Sequence, residues 1–119
     1  QEQQKVFNQP YQVGTNGDRP DQCICSTRQT QPQDMIVVGS DGLWDNLHHN
    51  ELGLYVNQYW SNPKHLASSI ANACFSYSLN SSYRSPFYEK AQRVGLSYPC
   101  TGKSDDITVV VARVVFDYL

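Results

Sequence analysis

Apolar positions in this chain fall into two β-branched runs separated by two stretches of helical periodicity and the start and stop signals of a third helix. Met35-Ile36-Val37-Val38-Gly39 is the first run and Ile107 to Phe116 the second. The second is apolar on both alternating sets, Ile107, Val109, Val111 and Val115 on one and Val110, Ala112, Val114 and Phe116 on the other. That pattern belongs to a strand covered on both sides, with sheet behind and helix in front. Between the runs, Leu52, Tyr55, Val56 and Tyr59 recur at i, i+3, i+4 and i+7, which predicts a helix capped at Asn50 or just before it. Asn62-Pro63 starts a second helix, with Asn as N-cap, Pro at the first helical position, and Leu66, Ile70, Ala73, Cys74 and Tyr77 as its stripe. Ser85-Pro86 repeats the start signal for a helix to Val94, with Gly95 as its stop. Upstream, Lys5 to Gln12 alternates weakly and predicts a strand, followed by a Gly, Asn, Asp and Pro loop over 14–20. Gln22 to Arg28 predicts another strand, paired as a hairpin with Met35 to Gly39 across the polar turn Gln29 to Gln33.

Composition narrows the possibilities. The 119 residues, 39% hydrophobic and 12% aromatic, suit one domain or part of one, although a layered sandwich would close better with more strands. A net charge of −2 with scattered Lys and Arg gives no basic surface to release counterions from nucleic acid. No apolar run approaches the roughly 20 residues that cross a bilayer. The chain opens Gln-Glu-Gln-Gln-Lys, neither with Met nor as a signal peptide, so upstream sequence is expected. Cysteines stand at 23, 25, 74 and 100, and Cys23-Ile24-Cys25 lacks the spacing of a zinc knuckle, which favours free thiols. His48-His49 cannot face one ion from a helix and reads as a solvated loop or helix start. His65 has no obvious partner, and the sequon Asn80-Ser81-Ser82 is a chance pattern.

Two acidic motifs adjoin the β-branched runs: Ser40-Asp41-Gly42-Leu43-Trp44-Asp45-Asn46 after the first and Gly102-Lys103-Ser104-Asp105-Asp106 before the second. Carboxylates at strand ends are rigidly held oxygen ligands for a hard cation. Asp41-Gly42 is also a hairpin-turn signal, but Leu43 to His49 does not alternate and leads into a helix. Asp105-Asp106 could alternatively guard the apolar strand behind them against aggregation. Asp45 reads as a helix cap. A phosphate-binding P-loop at Gly102-Lys103-Ser104 is discarded, since position 97 is Ser and a strand, not a helix, follows. Gly102 is better explained as a turn aiming Asp105 into a cleft. Trp44, with Leu43 and Leu47, is expected to wedge this segment against Leu66, Ile70 and Tyr77.

The two motifs together resemble the last two of the type 2C, metal-dependent Ser/Thr protein phosphatases, over Gln3 to Val115. The resemblance implies an α+β fold, part of a four-layer α/β/β/α sandwich of mainly antiparallel sheets flanked by helices. It implies that residues 1–119 form the C-terminal half of the phosphatase domain, because the family's Asp-Gly-x-Gly-Gly element, which supplies the carboxylate bridging its two metals, is absent. Implied metal ligands are Asp41 and Asp105, with no catalytic residue beyond them. The implied cofactors are two Mn²⁺ or Mg²⁺ ions that activate a bridging water for in-line attack on phosphoserine or phosphothreonine, with no phosphoenzyme. Asp106 stands where the family most often has Asn. Glu2-Gln3-Gln4, Phe7-Asn8, Pro10-Tyr11-Gln12 and Ser85-Pro86-Phe87-Tyr88 resemble the mitochondrial and plastid branch, which implies an intracellular, organellar location. The expected partners are a phosphoprotein substrate and the missing N-terminal half, without which this segment should be nearly inert. The alternative is a noncatalytic, pseudophosphatase-type binding module.

Overall fold

The computed structural model describes residues 4–10 and 12–116. Strand β1 (Gln4–Val6) and strand β2 (Gln9–Pro10) form a small hairpin, followed by an irregular stretch with one 3-10 turn at Pro20–Gln22. Strand β3 (Met35–Gly39) leads through the single-turn helix α1 (Asp41–Trp44) to α2 (His49–Gln58), α3 (Pro63–Ser78) and α4 (Pro86–Arg93), and the chain returns as strand β4 (Val109–Arg113). This is a mixed α+β arrangement, with a small antiparallel sheet and helices against it.

The two β-branched runs are each other's partners. β3 and β4 pair antiparallel, with Met35 opposite Arg113 and Gly39 opposite Val109. Beyond the strands, Gln33 N–H donates to Val114 O (2.8 Å) and Val114 N–H to Asp34 O (2.8 Å). On the inner face Met35, Val37, Val109 and Val111 pack on a core of Leu43, Leu47, Leu66, Ile70 and Cys74. Leu66, Ile70 and Cys74 are the buried stripe of α3, one face of a 3.6-residue period, and Asn62 Oδ1 caps that helix by accepting from His65 N–H (3.1 Å). Leu52, Tyr55, Val56 and Tyr59 give α2 its half-buried face as the periodicity predicts. Ser85 Oγ caps α4 by accepting from Tyr88 N–H (3.1 Å) and donates to Thr101 O (2.7 Å). That helix stops at Gly95, whose φ of 74° is the left-handed geometry of a Schellman end, with Leu96 N–H on Ala91 O and Gly95 N–H on Gln92 O.

Four expectations are corrected. The segment 22–28 is not a strand: residues 23–31 are irregular, residues 21–31 are exposed, and β3 takes β4 rather than this segment as its partner. Its weak alternation buries nothing, since Ile24 is 64% exposed. Lys5 to Gln12 is broken into the β1–β2 hairpin by Asn8, whose φ of 58° turns the chain, while Tyr11, like residues 1–3 and 117–119, lies outside the described residues. Among the described residues, β4 is covered on one face alone: Val110 is 56% exposed, and Val38 and Ile36 beside it are 57% and 43% exposed. Helix α3 lies in front of the sheet; the back is an open apolar surface. Finally, Leu43 and Leu47 form the buried part of the wedge, and Trp44 packs against it only half-buried, with its indole N–H on Gly39 O (3.1 Å).

Substitution Leu43→Ala should therefore cost about 2–5 kcal/mol, the range for emptying a core leucine site. Leu54→Ala, on the exposed face of α2, should stay within about 0.5 kcal/mol. Denaturant melts of both variants check the contrast, and equal losses would displace the core from the seam between α1 and α3.

Candidate metal centre

The end of β3 and the loop entering β4 are joined by one serine. Ser40 N–H donates to Thr108 O (3.0 Å), its Oγ donates to Asp106 O (3.1 Å), and the same Oγ accepts from Thr108 N–H (3.0 Å). With its hydroxyl committed across the seam, Ser40 occupies the N-cap position of α1 without a side-chain cap bond. Gly42 is required by close approach, because a Cβ there would collide with the Asp106 carbonyl oxygen. Asp41 opens α1 on one side of this seam and Asp105-Asp106 lie on the other, all three exposed. The two acidic motifs, far apart in sequence, thus share one end of the sheet. Asp41-Gly42 starts a helix, so the hairpin-turn alternative is set aside.

A buried amide closes the same seam from beneath. Asn46, fully buried, donates through Nδ2 to Gly42 O (3.0 Å) and Lys103 O (2.8 Å), and its Oδ1 accepts from Lys103 N–H (2.9 Å). Three hydrogen bonds thereby fix the acidic loop to α1. Gly102 is not the turn expected of it: its φ lies outside the left-handed region, and its role is close approach, a Cβ there colliding with the Tyr77 carbonyl. Sequence reasoning gave Asn46 no role, although a lone amide between Leu43 and Leu47, four residues after Gly42, was the signal that could have shown it. Asp45 is the buried C-cap of α1, and its carbonyl accepts from Phe87 N–H (3.2 Å).

Asp105 is held in place locally. Its Oδ1 accepts from Asp106 N–H (2.8 Å) and its Oδ2 lies 3.6 Å from Lys103 Nζ, an ammonium that also sits 5.0 Å from the centre of the Phe87 ring. Lys103 thus partly neutralises the Asp105 carboxylate. A cleft of about 710 Å³ opens beside Asp41, lined among others by Trp44, His49, Glu89, Lys90 and Arg93. His48 is the N-cap of α2, with Nε2 2.9 Å from Arg84 O, and His65 finds a partner in Tyr59, stacked 4.5 Å away. Among the described residues, no three His, Cys, Asp or Glu side chains converge as a metal cluster.

Behind the site, Tyr77 and Tyr83 stack at 4.1 Å, and Tyr83 Oη donates to Asn46 O (2.8 Å). Tyr77 Oη donates to the Glu51 carboxylate, and that hydrogen bond, aided by burial, pushes the Tyr77 phenol up to about 12. Burial likewise raises Tyr83. It pushes the Cys74 thiol up to about 11 and keeps that sulfur unreactive in the core.

Comparison with known proteins agrees with this arrangement. The chain is 32% identical over 127 residues to the protein phosphatase PTC7 homolog fig of Drosophila grimshawi, covering 95% of this chain and 41% of that protein. It is 39% identical over 117 residues to the probable protein phosphatase 2C 55 of Arabidopsis thaliana, covering 94% of this chain and 25% of that one. The fold matches the crystal structure of the photosystem II phosphatase PBCP with a TM-score of 0.87 at 27% identity, over 94% of this chain and 49% of that chain. No protein-family model matches. The chain thus spans less than half the length of these relatives, and in sequence and fold it is similar to part of each of them.

Asn46→Ala should cost about 3 kcal/mol or more, since it leaves the Gly42 carbonyl and the Lys103 carbonyl and amide unpaired at roughly 1–3 kcal/mol each. Faster hydrogen exchange at the Lys103 amide, measured on the variant, should accompany the loss; an unchanged rate would show that Asn46 does not hold the loop. The Tyr77–Glu51 pair sets a second expectation. Because the folded phenol ionises near 12 and the unfolded one near 10, the pair's contribution is complete below about pH 10 and falls as pH rises toward 12. Tyr77→Phe should flatten that alkaline decline in a pH series of melts.

Proposed function

We propose that this chain is the C-terminal half of a type 2C phosphatase domain, which hydrolyses phosphoserine and phosphothreonine in proteins with Mn²⁺ or Mg²⁺, and that Asp41 and Asp105 are its metal ligands. One observation carries the reading: the Ser40 seam, with Gly42 pressed on the Asp106 backbone, brings both acidic motifs to one sheet end. The donor chemistry fits the ion, for both side chains are exposed carboxylates, the hard oxygen ligands that Mg²⁺ and Mn²⁺ prefer. Two carboxylates are a partial set. The remaining ligands come, in this reading, from the part of the domain outside this chain. A divalent ion bound there supplies Lewis-acid neutralisation of charge at the phosphoryl group.

The protein's own contribution is placement. Asp41 is fixed by the first turn of α1, and Asp105 by the Asp106 amide and by Lys103, whose ammonium serves as its counter-ion. Asn46 keeps both carboxylates in register by tying α1 to the acidic loop. The open face at Ile36, Val38 and Val110 supports a second sheet behind the first, completing a four-layer α/β/β/α sandwich. The likeness to a photosystem II phosphatase supports an organellar location, plastid or mitochondrion, for the protein that carries this chain.

Asp41→Ala and Asp105→Ala, made in the full-length protein, should each remove most Mn²⁺-dependent hydrolysis of a phosphopeptide at low metal and leave the melting curve near wild type. A Mn²⁺ titration of turnover checks this. Near wild-type rates at low metal would make these residues turn and cap positions, and a full-length protein inert at every metal concentration would favour the noncatalytic binding module.

A further inference from the structure

The four thiols of the chain have different surroundings. Cys74 is fully buried on α3, with its sulfur 3.9 Å from Leu43 O, and Cys100 is half-buried beside Ser82 O. Cys23 and Cys25 are both exposed, and their Sγ atoms lie 3.5 Å apart, in contact with one another. They sit in the irregular stretch after the 3-10 turn, where no backbone ladder holds the chain extended. This matters because residues two apart on a strand are separated by about 6.6 Å along it, whereas a disulfide brings its Cβ atoms to about 3.5–4.5 Å. A regular strand would hold the sulfurs apart; the loop brings them together.

We propose that Cys23 and Cys25 form a thiol–disulfide site, closed reversibly by exchange with a small disulfide such as glutathione disulfide. One cysteine thiolate attacks a sulfur of the oxidant, whose S–S bond breaks and releases one glutathione thiolate. The second cysteine then attacks the mixed disulfide, the Cys23–Cys25 bond forms, and the second glutathione leaves. The two cysteines lose two electrons, the oxidant gains them, and the two thiol protons end on the glutathione thiols. The proximity of the second sulfur is what favours closure over a standing mixed disulfide, because its attack is intramolecular. Mutual contact of the sulfurs also raises the Cys25 thiol, chiefly through its hydrogen bond with Cys23. The ring is short and exposed, which belongs with labile, reversible disulfides rather than structural ones. Closing it would keep the segment around Ile24 from extending into a sheet edge.

The test is a glutathione titration of the full chain from reducing to oxidising buffer, quenched with an alkylating agent and read by peptide mass spectrometry. The expected result is loss of two hydrogens and of both alkylation sites in the peptide carrying Cys23 and Cys25, reversed by a dithiol reductant, with Cys74 unchanged throughout. In Cys23→Ser the ring cannot close, so Cys25 should accumulate as its glutathione adduct. Two outcomes would overturn the proposal: both thiols of the pair remaining alkylatable in oxidising buffer, or a disulfide found only between chains on a non-reducing gel.

Discussion

Everything at the candidate site depends on the seam between the end of β3 and the loop that enters β4. The strand register ends with Gly39 opposite Val109, one further main-chain bond runs from Ser40 N–H to Thr108 O, and the acidic residues lie beyond it. Ser40 extends the contact by a residue with a hydroxyl that both donates and accepts across the gap. Asn46 closes it from below with an amide that serves three backbone groups at once. Buried polar groups are costly unless satisfied, and here each bond also removes a degree of freedom from the loop that carries Asp105. The glycines at 42 and 102 are the steric counterpart, since both sit where backbone meets backbone with no room for a side chain.

The core supports this seam from one side. Leu43 and Leu47 descend from α1 and the turn after it into the stripe of α3, so the helix that begins with Asp41 is anchored by the same packing that holds the sheet. The tyrosines continue the support outward: Tyr83 reaches Asn46 O, stacks on Tyr77, and Tyr77 in turn bonds Glu51 of α2. Helices α2 and α3 are thereby coupled to the acidic loop through rigid aromatic contacts. The opposite face of the sheet has no such support among the described residues. Exposed valines and isoleucine there form the kind of apolar surface that marks an interface rather than a solvated exterior.

Local signals in the sequence determined a good deal about this protein. Helix periods, the Asn62 and Ser85 caps and the Gly95 stop all stand in the structure, because each is decided by groups within a few residues of one another. The β-branched runs were legible as strands for the same reason, and the acidic motifs as a pair through family resemblance. Tertiary structure decided the rest. Which strand β3 pairs with, and that segment 22–28 pairs with none, depends on contacts over some seventy residues that alternation does not encode. The half-burial of Trp44 beside the buried Leu43, the three bonds of Asn46 and the exposed back of β4 follow from how elements meet in space. A side-chain pattern states which faces are apolar; only packing states which of them is covered, and by what.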